Sequence, residues 1–264
     1  MDFIQHRSGA LLYMRAPGIS APHAFTTRYG GASRGVFSTL NLAENRGDEK
    51  ADVCHNYDVL AAALGLPAGG MAFTRQVHGA LVRRVGPSDR RMPFDPPAPD
   101  ADGLVTDVPG LPLVIFTADC IPVLLHDPVR GAVGAVHAGW RGTVSDIAGE
   151  GVRALVREFG CDPGDIRAAI GPGISACCFE TGDEVPDAVR SALGPDAEAF
   201  IASNGKPHVD LKGVNAFLLR RAGVPAENID VSSECTMCLC GKYWSHRASH
   251  GRRGSQGAVI MLER

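Results

Sequence analysis

Two histidines and one cysteine stand where apolar, β-branched runs give way to polar residues. His78 lies in Gln76-Val77-His78-Gly79, after the apolar segment Met71-Ala72-Phe73. Cys120 closes Leu113-Val114-Ile115-Phe116-Thr117-Ala118-Asp119-Cys120, and His137 follows the run from Gly131 to Val136. Buried strands that stop abruptly in this way deliver side chains into a site. Two imidazoles and a thiolate form a three-ligand set for a catalytic zinc that keeps one position open. Zinc brings bound water to a pKa of about 7, which makes a nucleophile available at neutral pH. Gly79, Ala118, Ala138 and Gly139 are small neighbours that leave room for it. The same residues also permit metal-free chemistry, with Cys120 as nucleophile and His137 or His78 as base. That second reading leaves one histidine without a role. No ligand pair is close in sequence, so spacing alone does not choose between the two.

Other residues suggest anion binding. Arg28 sits in the glycine-rich stretch Thr27-Arg28-Tyr29-Gly30-Gly31-Ala32-Ser33-Arg34-Gly35, where backbone can approach a ligand closely and a guanidinium can grip it with two donors. Arg141 lies in His137-Ala138-Gly139-Trp140-Arg141-Gly142, just before a helix expected over Thr143 to Phe159 with Thr143 or Ser145 as its cap. A helix N-terminus after glycine and arginine is a reasonable anion site. Asp119, beside Cys120, is a candidate for orienting a ligand or moving a proton, with a structural role equally open. Cys235-x-x-Cys238-x-Cys240 has three thiols, but no second Cys or His pair follows at standard zinc spacing; His246 and His250 fall off pattern. Cys177 and Cys178 are adjacent and are expected to point apart, without a shared role.

The elements that must position these groups follow from periodicity. A helix is expected from Asp48, with Val53, Tyr57, Leu60, Ala61 and Leu64 on one face and Gly65 as its stop. Strand-like runs span 71–77, 80–85, 166–170 and 258–262. Further helices are expected over 184–193 and after Asp210, ending by Gly223. With 264 residues and 45% hydrophobic content, the chain can bury a large core. Its net charge of −3 leaves no basic footprint for nucleic acid. No apolar run approaches the ~20 residues of a membrane span. Eight cysteines without a signal-like leader point to reduced thiols in the cytoplasm. Phosphate loops, Gly-x-Ser-x-Gly elbows and the base-deaminase zinc motif are missing.

Several motifs occur together and in order: Thr27-Arg28-x-Gly30-Gly31-x-Ser33-x-Gly35, Leu40-Asn41-Leu42, Gln76-Val77-His78-Gly79, Ala118-Asp119-Cys120-x-Pro122, His137-Ala138-Gly139-Trp140-Arg141-Gly142 and Gly171-Pro172-x-Ile174. On these the chain closely resembles the laccase-domain family, once called multicopper polyphenol oxidoreductases and now described as purine nucleoside phosphorylases. The resemblance runs from about residue 26 to 264. It implies a single catalytic domain over 1–264, of α/β (α+β) type, a sandwich of mixed β-sheets flanked by helices. It also implies zinc on His78, Cys120 and His137, and phosphorolysis of adenosine, inosine and methylthioadenosine together with adenosine deamination. The activity is thus that of a transferase and a hydrolase.

Within that frame the candidate catalytic residues are Cys120, Asp119 and Arg141. The candidate substrate contacts are Arg28, Asn41, Gln76 and Arg247. Expected partners are small-molecule purine nucleosides and phosphate, with neither nucleic acid nor membrane; a monomer is among the possible states. The alternatives are a metal-free Cys-His hydrolase of cell-wall peptide precursors and a copper-dependent polyphenol oxidase. The copper reading wants more clustered histidines than these nine scattered ones. The tail departs from the family pattern. Tyr243-Trp244-Ser245-His246-Arg247 replaces Phe-Phe-Ser-Tyr-Arg, and Gly254-Ser255-Gln256 replaces Gly-Arg-Gln. Arg252 or Arg253 is available to stand in for the missing arginine.

Overall fold

In chain order the strands and helices are β1 (Ile4–Ser8), β2 (Leu11–Arg15), β3 (His23–Thr26), α1 (Lys50–Leu64), β4 (Val82–Arg84), β5 (Gly103–Thr106), β6 (Leu113–Thr117), β7 (Ile121–Asp127) and β8 (Ala132–Ala138). They continue through α2 (Trp140–Val144), α3 (Ile147–Phe159), β9 (Arg167–Ile170), α4 (Glu184–Leu193), β10 (Ile201–Asn204), β11 (Lys206–Val209), α5 (Leu211–Arg221), β12 (Ile229–Val231) and β13 (Gln256–Ile260). The computed structural model describes residues 2–67, 69–96 and 98–263.

Two large sheets face each other. One has the order β1-β2-β3-β13-β6 and the other β12-β9-β7-β8-β5-β4. The first is antiparallel throughout. The second is mixed, because β12 runs parallel to β9 and β4 parallel to β5.

Alternation along each strand decides which layer a residue joins. In β6, Leu113 and Ile115 enter the core between the sheets, whereas Val114 packs with Val53, Tyr57 and Leu60 of α1. In β7, Leu124 enters the same inter-sheet core, while Val123 and Leu125 pack with Val152, Leu155 and Leu218 of α3 and α5. Every side of these strands is therefore covered, which explains why they read as unbroken apolar runs. The result is a four-layer sandwich, helix on sheet on sheet on helices, in keeping with the sandwich of sheets flanked by helices that the resemblance implied. Among the described residues no helix is long and apolar enough to cross a membrane.

Several local expectations hold. The first helix stops at Gly65, which takes the left-handed conformation at φ 63° that glycine adopts most cheaply. Asp210 caps α5 through a bond from the Gly213 amide. The helix expected over 143–159 is instead two, α2 and α3, separated at Ser145 and Asp146. Neither Thr143 nor Ser145 supplies the cap. Thr143 lies inside α2 and accepts from the Asn215 side chain, and Asp146 turns the chain with φ 60°. The Asp146 carboxylate is held there by Arg153 at 2.8 Å. The break lets α3 lie along the sheet while α2 stays beneath the end of β8. The runs 71–77 and 80–85 are not full strands. The first makes isolated bridges at Met71, Ala72 and Arg75, and the second pairs only as β4.

Leu124 is fully buried in the inter-sheet core. Truncation to alanine leaves a cavity with little freedom to collapse, so Leu124→Ala should lower unfolding stability by about 2–5 kcal/mol in urea titration. Val129 is 68% exposed, and Val129→Ala should stay within about 0.5 kcal/mol.

Candidate functional site

One buried carboxylate assembles two of the three predicted ligands. Asp102 accepts the backbone amides of Val77, His78 and Gly79 at 3.1, 2.9 and 2.8 Å. Its Oδ1 also lies 2.8 Å from His137 Nδ1. Those amides would otherwise extend a strand, so Asp102 converts 77–79 into a turn in which His78 adopts φ 62°. His78 therefore sits in a loop and not at a strand end. His137 is the penultimate residue of β8. With Nδ1 donating to Asp102, Nε2 is the ring nitrogen left for a metal or a thiol. Asp102 was not singled out from the sequence, although its place just before β5 in Ala101-Asp102-Gly103 was a signal.

Cys120 lies where the chain crosses from one sheet to the other, between the end of β6 and the start of β7. Since β7 and β8 are antiparallel with Pro122 opposite His137, this crossing brings Cys120 to the end of β8. Asp119 takes φ 85° and turns its carboxylate away, accepting Thr236 Oγ1 at 2.6 Å, Ser245 Oγ at 3.1 Å and the Arg247 amide at 2.7 Å. It holds the turn; its oxygens face these donors and not the cavity.

The ligand atoms of His78, Cys120 and His137 lie within 4.8 Å of one another. The two imidazoles meet edge-on, with centroids 4.9 Å apart. A Cβ on Gly139 would lie 2.8 Å from His78 Cδ2 and 3.4 Å from Cys120 Sγ, so the glycine makes space for the cluster. Burial pushes the Cys120 thiol up, but His137 and His78 outweigh it through charge and hydrogen bonding and bring it down to about 6. Burial likewise depresses His137, yet the Cys120 thiolate and Asp102 raise it to about 9. For Asp102, burial is opposed by His137 and by the Gly79 and Val77 amides, and the carboxylate is held below its usual range. The donor set fits a metal ion, with two nitrogens and one sulfur converging and a carboxylate behind one histidine.

These three residues border a cavity of about 320 Å³ that is also lined by Phe73, Phe116 and Leu42 on its apolar side. Arg46 and Arg253 contribute cationic lining. Arg253 is 9% exposed; its Nη1 bonds Gly254 O and Ser255 Oγ, while its buried Nε has no partner among the described residues. Burial and the nearby charge of Arg46 lower Arg253 to about 10, against the opposing pull of Cys120 and Asp119. Arg75, paired with Asp100, and Arg91, which donates to Pro96 O, line the cavity as well, so four arginines face it.

The predicted substrate residues divide accordingly. Gln76 lines the cavity, but its amide pairs with both the N–H and the C=O of Phe116 at 2.7 Å, which ties the His78 segment to β6. Asn41 is fully buried behind the lining, bonding Ala43, Asp48 and the Ser255 amide. Arg28 is away from the cavity: it stacks on Trp244 and donates to Ser38 O and Cys240 O. Arg141 is exposed and lies over Trp140. Arg247 is exposed too, reaching Glu180 O at 2.9 Å. The cationic lining comes instead from Arg46, Arg75, Arg91 and Arg253; of these only Arg253 was named from the sequence, with Arg252, as a stand-in for the missing family arginine.

With this geometry in view, comparisons with known proteins agree. Residues 22–263 match the family described as multi-copper polyphenol oxidoreductase laccase. The chain belongs to this family. It is 38% identical to the purine nucleoside phosphorylase YlmD of Geobacillus stearothermophilus, over 98% of this chain and 96% of the relative. It is 42% identical to a purine nucleoside phosphorylase of Deinococcus radiodurans, over 95% and 93% of the two chains. A third relative, adenosine deaminase RL5 from an unknown prokaryotic organism, is 35% identical over 88% of this chain and 90% of its own length. The crystal structure of the Geobacillus stearothermophilus YlmD superposes with a TM-score of 0.94 at 37% identity, covering all of both chains.

A thiol held down by two imidazoles is ionised where an ordinary thiol is not. In chelated protein, iodoacetamide labelling of the Cys120 peptide should rise with a midpoint near pH 6 and not near 9. His137→Gln should shift that midpoint upward, as read by peptide mass spectrometry.

Proposed function

We propose that this chain is a zinc-dependent purine nucleoside phosphorylase, acting on adenosine, inosine and methylthioadenosine, with adenosine deaminase activity at the same site. The observation that carries this reading is a His/Cys/His donor set on one side of a nucleoside-sized cavity whose cationic lining includes Arg253 and Arg46. Relatives named as purine nucleoside phosphorylases and as an adenosine deaminase support a nucleoside-processing enzyme. We take the chain to work as one catalytic domain in the cytoplasm.

In this mechanism Phe73 and Phe116 pack against the purine, since aromatic faces give a base much of its binding energy. Arg253, whose Nε has no partner among the described residues, and Arg46 hold phosphate so that one of its oxygens faces the anomeric carbon of the ribose. Their mutual repulsion is relieved when the anion arrives, and fixed cations at that point offset charge in the transition state. Asp102 keeps His137 in one tautomer and fixes the turn that aims His78. Zinc on His78, Cys120 and His137 would supply an activated water for deamination.

The lowered Cys120 thiol also favours a second reading, a Cys120 nucleophile without metal. Metal content and adenosine turnover, with and without phosphate, separate the two. The zinc reading expects near-stoichiometric zinc, adenine released only with phosphate, and loss of both metal and turnover in Cys120→Ala. Activity that survives chelation but not thiol alkylation would move the assignment to the nucleophile.

Arg253→Ala should raise the KM for phosphate by roughly 10–100-fold, because a charge-assisted bond in a buried site is worth about 1.5–3 kcal/mol. Arg28→Ala and Arg141→Ala, whose guanidinium groups lie outside the cavity, should leave that KM unchanged. Steady-state kinetics with varied phosphate would check both statements.

A further inference from the structure

Outside the cavity, four cysteines from two distant segments converge. Cys177 and Cys178 belong to the loop after β9, whereas Cys235 and Cys238 follow β12. Their sulfur atoms all lie within 4.8 Å of one another. Cys178 Sγ is 3.3 Å from Cys238 Sγ, Cys177 Sγ is 3.6 Å from Cys238 Sγ, and the adjacent pair is 3.7 Å apart. The vicinal thiols therefore share a site, contrary to the expectation that they point apart. Cys240 falls outside the group; its carbonyl accepts from Arg28.

We propose that Cys177, Cys178, Cys235 and Cys238 form a second metal centre, a tetrathiolate site for zinc or another thiophilic divalent cation. Zinc–sulfur bonds of about 2.3 Å in a tetrahedron place sulfurs about 3.8 Å apart, close to the separations observed here. Four reduced thiols at such distances are otherwise a poor use of a surface, since they oxidise readily.

The surroundings suit bound thiolates. The Ser175 amide donates to Cys235 Sγ at 3.4 Å. The amides of Cys238 and Met237 also interact with the Cys235 sulfur. Lys212 is 4% exposed; its ammonium is held by Ser232 O and Glu234 O at 2.9 and 2.8 Å and interacts electrostatically with Cys235 and Cys177. A divalent cation with four thiolates carries two net negative charges, and this ammonium offsets part of them. These amides and this cation form the outer layer that thiolate sites use to orient their ligands.

The location gives the centre a task. Cys235 pairs with Gly173 as an isolated bridge, and Thr236, the next residue, grips the Asp119 carboxylate. Asp119 in turn sets the crossing that presents Cys120. Metal bound here would clamp the 173–180 loop to the 232–247 segment and hold that grip in place. It is a structural staple near the active site, with all four positions taken by protein and none open for substrate.

The test is metal stoichiometry of the full chain purified under reductant with zinc supplied. Two zinc ions per chain are expected in the wild type and one in Cys178→Ser/Cys238→Ser, with Cys240→Ser keeping two. A His78→Ala/His137→Ala variant should retain one, so failure of the nucleoside site and failure of this one are read separately. Cobalt(II) substitution adds a signature, since the thiolate-to-cobalt charge-transfer band should fall strongly in the cysteine variant. Should the double cysteine variant fail to fold, Cys177→Ser alone should show zinc lost to a competing chelator faster than in the wild type. A zinc ratio that the folded cysteine variants leave unchanged would overturn the proposal. So would disulfide bonds among these four cysteines in the reductant-purified protein, found by peptide mapping.

Discussion

The site depends on a single carboxylate whose lone pairs are all in use. Asp102 accepts three successive amides of the 77–79 turn and the ring of His137. A buried carboxylate without such donors would be costly. With them it is held ionised, and it imposes two geometries at once. It makes His78 adopt a left-handed backbone that a histidine rarely takes, and it selects the tautomer in which His137 offers Nε2. Strain in the turn and burial of the charge are thus offset by the same set of bonds.

A comparable economy operates at Asp119. Its position in the chain suggested proton transfer, yet its oxygens are committed to Thr236, Ser245 and the Arg247 amide. The carboxylate secures the passage from β6 to β7, and with it the placement of Cys120. The segment that grips it comes from the tail of the chain and begins at the proposed tetrathiolate centre. Two ligand sets with different chemistry are therefore coupled through one turn. The first is open toward a cavity, and the second is closed by protein sulfur on all sides.

The arginines show how charge and position separate. Arg28 lies in a motif shared with the family, but its guanidinium satisfies two backbone carbonyls and stacks on Trp244. This ties the 28–40 loop to the tail and leaves it no donors directed at the cavity. Arg253 lies two residues before Ser255, where the family pattern has arginine, and it retains a buried donor without a partner among the described residues. Burying such a group is favourable only if an acceptor arrives. In the proposed mechanism phosphate is that acceptor, and it also relieves the repulsion with Arg46.

Much of the architecture was legible in the sequence because the sandwich imposes simple periods. Both sheets are covered on both faces, so β6 and β8 appear as apolar runs, and α1 and α5 announce their ends through Gly65 and Asp210. The three candidate ligands were legible for a related reason: each is a polar, metal-competent residue beside small neighbours where such a run gives out. Local sequence could not show Asp102 as the organiser, the division of 143–159 into two helices, Arg46 as cationic lining, or the union of Cys177 and Cys178 with Cys235 and Cys238. Each depends on groups twenty or more residues apart meeting in space, as with the 60 residues between Cys178 and Cys238. The sequence by itself determined several of the central strands, the family and the identity of the metal-competent residues, since those follow from local pattern and side-chain chemistry. Only the tertiary structure decided which charges face the cavity and which are spent on the backbone, because hydrogen-bond partners are chosen by proximity after the sheets have packed.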